Sequence, residues 1–124
     1  MPSEKRKIGD RGEEAAAKYL KSRGYRILGR NYRKKWGELD IVAAFRKNIV
    51  FVEVKTRRRG ANFFPAQNVN YLKQQRLIRA AKTWLAENRI PPEILWQIDV
   101  VVVEIDAGGV MNGIEHLQNC VWAG

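Results

Sequence analysis

The sequence predicts an α/β domain in which a mixed sheet is flanked by helices, in the order α-β-β-β-α-β. Two long segments carry apolar residues at helical spacing, three runs between them read as strands, and a β-branched run follows the second helix. The chain has 124 residues, 45% hydrophobic and 10% aromatic. That is enough for one packed core and a single domain over residues 1–124, with 1–7 read as a flexible basic N-terminus.

The first helix is read from Ile8 to Arg23. Ile8, Gly12, Ala16, Tyr19 and Leu20 fall on one stripe, and Gly24 is placed to stop it. Glu13 lies at the border of that stripe, whereas Glu14 points well away from it. Tyr25 to Arg33 reads as a strand, a turn at 34–37 follows, and Glu38 to Phe45 alternates with period two. A tight turn at Lys47 and Asn48 leads into Ile49 to Lys55, completing an antiparallel meander. The helical period returns from Val69 to Asn88, with Leu77, Ile78, Ala81, Trp84 and Leu85 on its apolar face and Lys73, Arg76, Arg79 and Lys82 opposite. Pro91 and Pro92 end it. Ile98 to Ile105 is nearly all β-branched, as an interior strand covered on both faces would be. Past Gly108 and Gly109 the pattern is ambiguous, with room for one more short strand.

Charge narrows the function classes. The net charge is +10, and residues 1–59 hold 18 Lys and Arg against 7 Asp and Glu, while 60–124 hold 5 against 6. A basic half-domain fits a polyanionic partner, most often nucleic acid. The single cysteine, Cys120, and single histidine, His116, exclude a disulfide framework and a cysteine or histidine zinc cluster. His116 is read as structural, and the four tryptophans as packing, with Trp36 set apart by its cationic neighbours Arg33, Lys34 and Lys35. MPSEKRKIGD has no apolar stretch after its charges, and no run approaches the about 18 apolar residues of a membrane span. The expectation is a cytoplasmic protein without a membrane partner.

The chemistry concentrates in FVEVKTRRRG, Phe51 to Gly60. If Lys47-Asn48 closes a two-residue hairpin, Arg46 pairs with Ile49, Asp40 faces Lys55 and Val42 faces Glu53. Alternation then puts Asp40, Glu53 and Lys55 on one face of the sheet. A slip of two in the pairing sum keeps that result; a slip of one destroys it. Asp40, Glu53 and the Val54 carbonyl are hard oxygen ligands of the kind Mg²⁺ takes, with Mn²⁺ as a substitute, and a lysine beside them can orient water or stabilise phosphate charge. Glu13 adds a carboxylate if its helix packs beside the hairpin. Arg33, Lys34, Lys35, Arg57, Arg58, Arg59, Lys73 and Arg76 are the candidates to hold a nucleic-acid backbone. The same spacing also suits cross-strand ion pairs on a solvated face, which stabilise by roughly 0.2–1 kcal/mol.

Gly9-Asp-Arg-Gly12-Glu13, Asn31-Tyr32-Arg33, Gly37-Glu38-Leu39-Asp40-Ile41-Val42, Phe51-Val52-Glu53-Val54-Lys55-Thr56-Arg57 and Val69 with Lys73 together resemble the YraN family. The resemblance covers most of the chain. It implies a restriction-endonuclease-like fold of the PD-(D/E)xK type, closest to archaeal Holliday-junction resolvases. Asp40 and Glu53 would be the metal-binding acids, Lys55 the catalytic lysine and Glu13 the first-helix acid. A homodimer cutting branched DNA with Mg²⁺ is likewise implied. One departure is visible: Gln97-Ile98-Asp99 stands where the family usually has Arg-Phe-Asp. Three functions follow as expectations: a Mg²⁺-dependent DNA endonuclease, an accessory nucleic-acid-binding module that keeps the fold without catalysis, and a binder of structured RNA. The last lacks the aromatic platform of an RNA-binding sheet.

Overall fold

The computed structural model describes residues 3–58 and 70–121, the side chains of Glu4 and Lys5 excepted. Its elements are α1 (Glu4–Ser22), β1 (Arg26–Lys34), β2 (Gly37–Phe45), β3 (Asn48–Arg58), α2 (Tyr71–Glu87), β4 (Trp96–Ile105) and β5 (Met111–Val121). The expected α-β-β-β-α-β order is present, and the ambiguous tail supplies a full strand of 11 residues. The sheet runs β1-β2-β3-β4-β5. Only β3 and β4 are parallel, which requires the crossover that carries α2. Val69, Arg59 and Trp122 lie outside the described residues. Among those described, no helix is long and apolar enough to cross a membrane.

Each helix covers one face. On the α1 face, Ala16, Ala17 and Leu20 pack on Ile41, Ala43, Val50, Val52, Val101 and Val103. On the other, Leu77, Ile78, Ala81 and Trp84 of α2 pack on Val42, Ile49, Phe51 and Ile98. The Trp84 ring meets Phe51 edge-on at 5.7 Å. The β-branched run is thus the interior strand its composition indicated: Ile98, Val100, Val101, Val102, Val103 and Ile105 are all buried. Each such side chain stabilises by about 1.5–3 kcal/mol over exposure.

β4 also buries Asp99 completely. An unpaired carboxylate there would cost several kcal/mol, on the order of what two of those valines contribute. It is fully engaged instead. Its oxygens accept from Gln97 Nε2 at 2.8 Å, the Asn119 backbone N–H at 2.7 Å and His116 Nε2 at 2.7 Å, and His116 Nδ1 contacts the Tyr19 hydroxyl at 3.1 Å. His116 is therefore a structural pin joining β4, β5 and α1. Gln97, two residues before it on β4, thus serves the same acid.

Two local expectations need correction. Residues 4–7, read as part of a flexible basic N-terminus, form the first turn of α1, because the Ser3 hydroxyl caps the helix by accepting the Arg6 N–H at 3.2 Å. The β2–β3 hairpin closes on Phe45↔Asn48, not Arg46↔Ile49, so its turn residues are Arg46 and Lys47. Arg46 adopts φ +57°, a conformation usually left to Gly or Asn. The pairing sum therefore shifts by two, and the side chains keep their faces.

Two glycines set how closely the helices approach. A Cβ at Gly12 of α1 would lie 2.1 Å from Thr56 Oγ1 on β3, and one at Gly37, where β2 begins, 2.5 Å from the Arg76 carbonyl oxygen of α2. A side-chain hydroxyl can be removed; a helix carbonyl cannot. We expect Gly12→Ala and Gly37→Ala each to destabilise by roughly 1–3 kcal/mol in urea unfolding. Adding Thr56→Ala should recover most of the first loss. Equal unfolding midpoints for Gly37→Ala and wild type would refute the close approach.

Candidate active site

Strand β3 delivers the site because it runs beyond its ladder with β2. The β2–β3 register extends from Phe45↔Asn48 to Ile41↔Val52. One residue further, the ladder gives way to a side chain: Asp40 Oδ2 accepts the Val54 N–H at 2.7 Å. The N–H and C=O of a residue leave an extended strand on the same side, so the Val54 carbonyl also faces the gap where Asp40 lies. Glu53 and Lys55 follow Ile49 and Phe51 on the face that α2 covers.

Glu53 is nearly buried and meets two cations. Its Oε1 lies 2.9 Å from Lys73 Nζ, on the first turn of α2, and 3.6 Å from Lys55 Nζ. Asn70 caps α2 by accepting the Lys73 N–H at 2.9 Å, which fixes the turn carrying that lysine. Burial, then the Glu53 carboxylate, push the Asp40 pKa up to about 7; the Val54 N–H pulls the other way without prevailing. Burial lowers the Lys55 pKa, with Lys73 beside it adding to the effect. Burial also works against the Lys73 charge, but its hydrogen bond to Lys55 and the Glu53 and Asp40 carboxylates outweigh it, and its pKa rises. The two lysines are thus driven apart, Lys55 toward the neutral amine and Lys73 toward the ammonium.

Glu13 reaches the same cleft from α1. Burial raises its pKa against the pull of Arg30, and its Oε1 is buried with no hydrogen-bond partner among the described residues. Glu14, on the outer face as expected, is tied to Arg30 at 2.9 Å. Asp40, Glu53, Val54, Lys55, Lys73 and Glu13 all line one open cleft of about 640 Å³. Arg6, Asp10 and Glu38 line it too, and spacing alone had not singled them out.

The residues fit a hard divalent cation. The Asp40 carboxylate beside that of Glu53, and a Glu13 oxygen without a partner among the described residues, are hard oxygen donors of the kind such an ion takes. Among the described residues no three His, Cys, Asp or Glu side chains close on one point. The protein's share would therefore be Asp40, Glu53 and the Val54 carbonyl, with water completing the sphere as Mg²⁺ prefers.

The cations divide. Arg33 lines the cleft, in an exposed pair with Glu38 at 3.6 Å. Lys34, Lys35, Lys73 and Arg76 line an adjoining groove, Lys34 bonded to Glu87 at 2.9 Å. Exposed pairs of this kind contribute about 0–1 kcal/mol, so a phosphate can replace the acid cheaply. Arg57 differs, since it is drawn toward β4 and β5 by Glu104 at 3.3 Å and Glu115 at 3.9 Å. Arg58 is exposed at the end of β3, and Arg59 lies outside the described residues.

The profile of the uncharacterised protein family UPF0102 matches residues 12–103. A UPF0102 protein of Alkaliphilus oremlandii is 44% identical over 114 residues, covering 92% of this chain and 97% of that protein. One of Pelobacter propionicus is 44% identical over 116 residues, covering 92% and 81%, and one of Roseiflexus castenholzii 37% over 121, covering 98% of both. The matched span holds Glu13, Asp40, Glu53, Lys55 and Lys73.

The raised Asp40 pKa makes a stability prediction. Its folded value, about 7, stands above the ordinary 3.8. The folded state then binds the proton more tightly, so the contribution is present below about pH 4 and lost as pH rises through 7. Without divalent cations, Asp40→Asn should be more stable than wild type at pH 8, by on the order of 1–3 kcal/mol, and should lose most of that advantage by pH 4. Parallel melting curves at the two pH values would remove the basis for the shift.

Proposed function

The chain belongs to the uncharacterised protein family UPF0102, the YraN family that its motifs resemble, and on that footing we propose that it is a Mg²⁺-dependent DNA endonuclease. The observation that carries the reading is the meeting of Asp40 and Glu53 with Lys55 and Lys73 at an open, arginine- and lysine-flanked cleft. Fold likeness alone would not carry it.

In this reading Arg33, Lys35 and Arg76 draw in the phosphate backbone and set its register. Asp40 and Glu53 would hold the cation. A Mg²⁺ or Mn²⁺ held there would supply positive charge for the phosphate and make water more acidic. Lys55, biased toward the neutral amine, is suited to take or share the proton of the attacking water. Lys73 keeps its charge, balances Glu53 and remains as a fixed cation beside the pentacoordinate phosphate. The Val54 N–H restrains Asp40 by holding one of its oxygens beside β3. Selection of branched DNA, and a homodimer with one site for each strand, extend the proposal by likeness to the resolvases. A cytoplasmic setting completes the reading, on the ground of the sequence pattern and not of that likeness.

One observation favours a second reading. Lys73 and Lys55 already compensate Glu53 without any metal. A nucleic-acid-binding accessory module that keeps the acids only as internal ion pairs would look the same at Glu53. It leaves Asp40 unexplained.

The test is cleavage of linear, flapped and four-way DNA with Mg²⁺ and with Mn²⁺. Wild type should cut at least one of these. Asp40→Asn and Lys55→Ala should each lower the rate at least about 100-fold while gel-shift affinity persists. Intact DNA throughout, with binding unaffected by Mg²⁺ or by Asp40→Asn, would replace the enzyme with the accessory module.

A further inference from the structure

Next to the carboxylate cleft lies a second groove of about 540 Å³, between the β1–β2 turn and the first turns of α2. Glu38, Glu53 and Lys73 line both, so the groove begins where the cleft ends. Its lining is mixed in a particular way. Trp36, Leu72 and Leu77 are apolar, while Lys35, Lys73 and Arg76 are cationic. Phosphate contact alone has no use for the first three.

Leu72 is 59% exposed, a large apolar side chain left uncovered on the wall of a charged groove. The Arg79 guanidinium lies over the Trp36 ring at 4.6 Å from its centroid, which holds the indole in place. Trp36 Nε1 is buried and has no hydrogen-bond partner among the described residues, an unusual state for an indole N–H. The turn itself is set firmly, since Gly37 allows it to rest against the Arg76 carbonyl. An aromatic plane, an aliphatic wall, an unpartnered donor and several cations together make the environment of a nucleobase with its own phosphate. The volume is within the range of small-molecule sites.

We propose that this groove receives one unpaired nucleobase next to the phosphate held in the carboxylate cleft. DNA with an unpaired nucleotide beside the cut is then favoured over perfect duplex, because a paired, stacked base cannot enter without being extruded. The position of the phosphate rests on the nuclease reading; the base pocket does not need catalysis to be measured.

The experiment uses the full chain, in EDTA, with DNA carrying 2-aminopurine either at a single unpaired position or within perfect duplex. Stacking in the groove should quench the unpaired probe alone, and the unpaired DNA should bind about 10-fold tighter. Trp36→Ala should abolish the quench. Leu72→Ala, at an exposed position that leaves the core untouched and adds no charge to the groove, should bring the affinity ratio close to one while duplex affinity changes less than about 2-fold. An unquenched probe, or an unchanged ratio in folded Leu72→Ala, would overturn the proposal. A wild type that cuts DNA but shows no ratio sinks the pocket and spares the nuclease; one that cuts nothing yet keeps the ratio does the reverse.

Discussion

The site depends on one hydrogen bond, the Val54 N–H given to the Asp40 carboxylate where β2 and β3 stop pairing. A backbone donor at that depth has to be satisfied, and a carbonyl of β2 would do so at no electrostatic cost. Using a carboxylate instead brings a charge to the edge of the core. It then shares a cleft with Glu53, which the alternation of β3 has turned toward α2. Everything else in the cleft answers this choice. Lys73 and Lys55 neutralise Glu53, α1 brings Glu13 and Arg6 to the rim, and burial, then the Glu53 carboxylate, keep the Asp40 pKa raised.

The fold makes such an arrangement tolerable by putting it at a seam. The two apolar clusters occupy opposite faces of the sheet, and the last strongly buried apolar residue of β3 is Val52. From Glu53 onward the strand leaves the core but stays covered by helices on both sides. Gly12 and Gly37 decide how near those helices come, and so how narrow the cleft and its neighbouring groove are. Stability and site geometry are therefore controlled by the same two close contacts.

Most of the fold was legible because its signals are periodic. The stripe of α1, the alternation of β2 and the β-branched run of β4 each identify an element and the face it buries. Asp40, Glu53 and Lys55 do line one cleft, and a pairing error of two rather than one left the expected parity of β2 against β3 in place. The turn was misplaced because Asn48 has the turn-forming side chain, whereas Arg46 adopts its positive φ for reasons of hairpin geometry that composition does not carry. Lys73's bond to Glu53 joins a helix to a strand across the face of the sheet, and no local spacing encodes that contact. Arg57 was hidden similarly: it belongs to a run of three arginines, but its partners Glu104 and Glu115 come from β4 and β5, whose register only the assembled sheet defines.

Asp99 and Asp40 show how differently two carboxylates of one sheet can be engaged. Asp99 has no exposed surface, yet three donors from two strands converge on it and His116 carries the network on to Tyr19. Such a group is fixed and has no capacity left for a ligand. Asp40 is less buried, accepts one backbone N–H and faces another carboxylate. Burial is therefore the poorer guide, and the balance of donors against charges is the better one. By that measure Asp99 is spent on holding β4, β5 and α1 together, whereas Asp40, with one backbone donor, stands beside Glu53 at the mouth of an open cationic cleft.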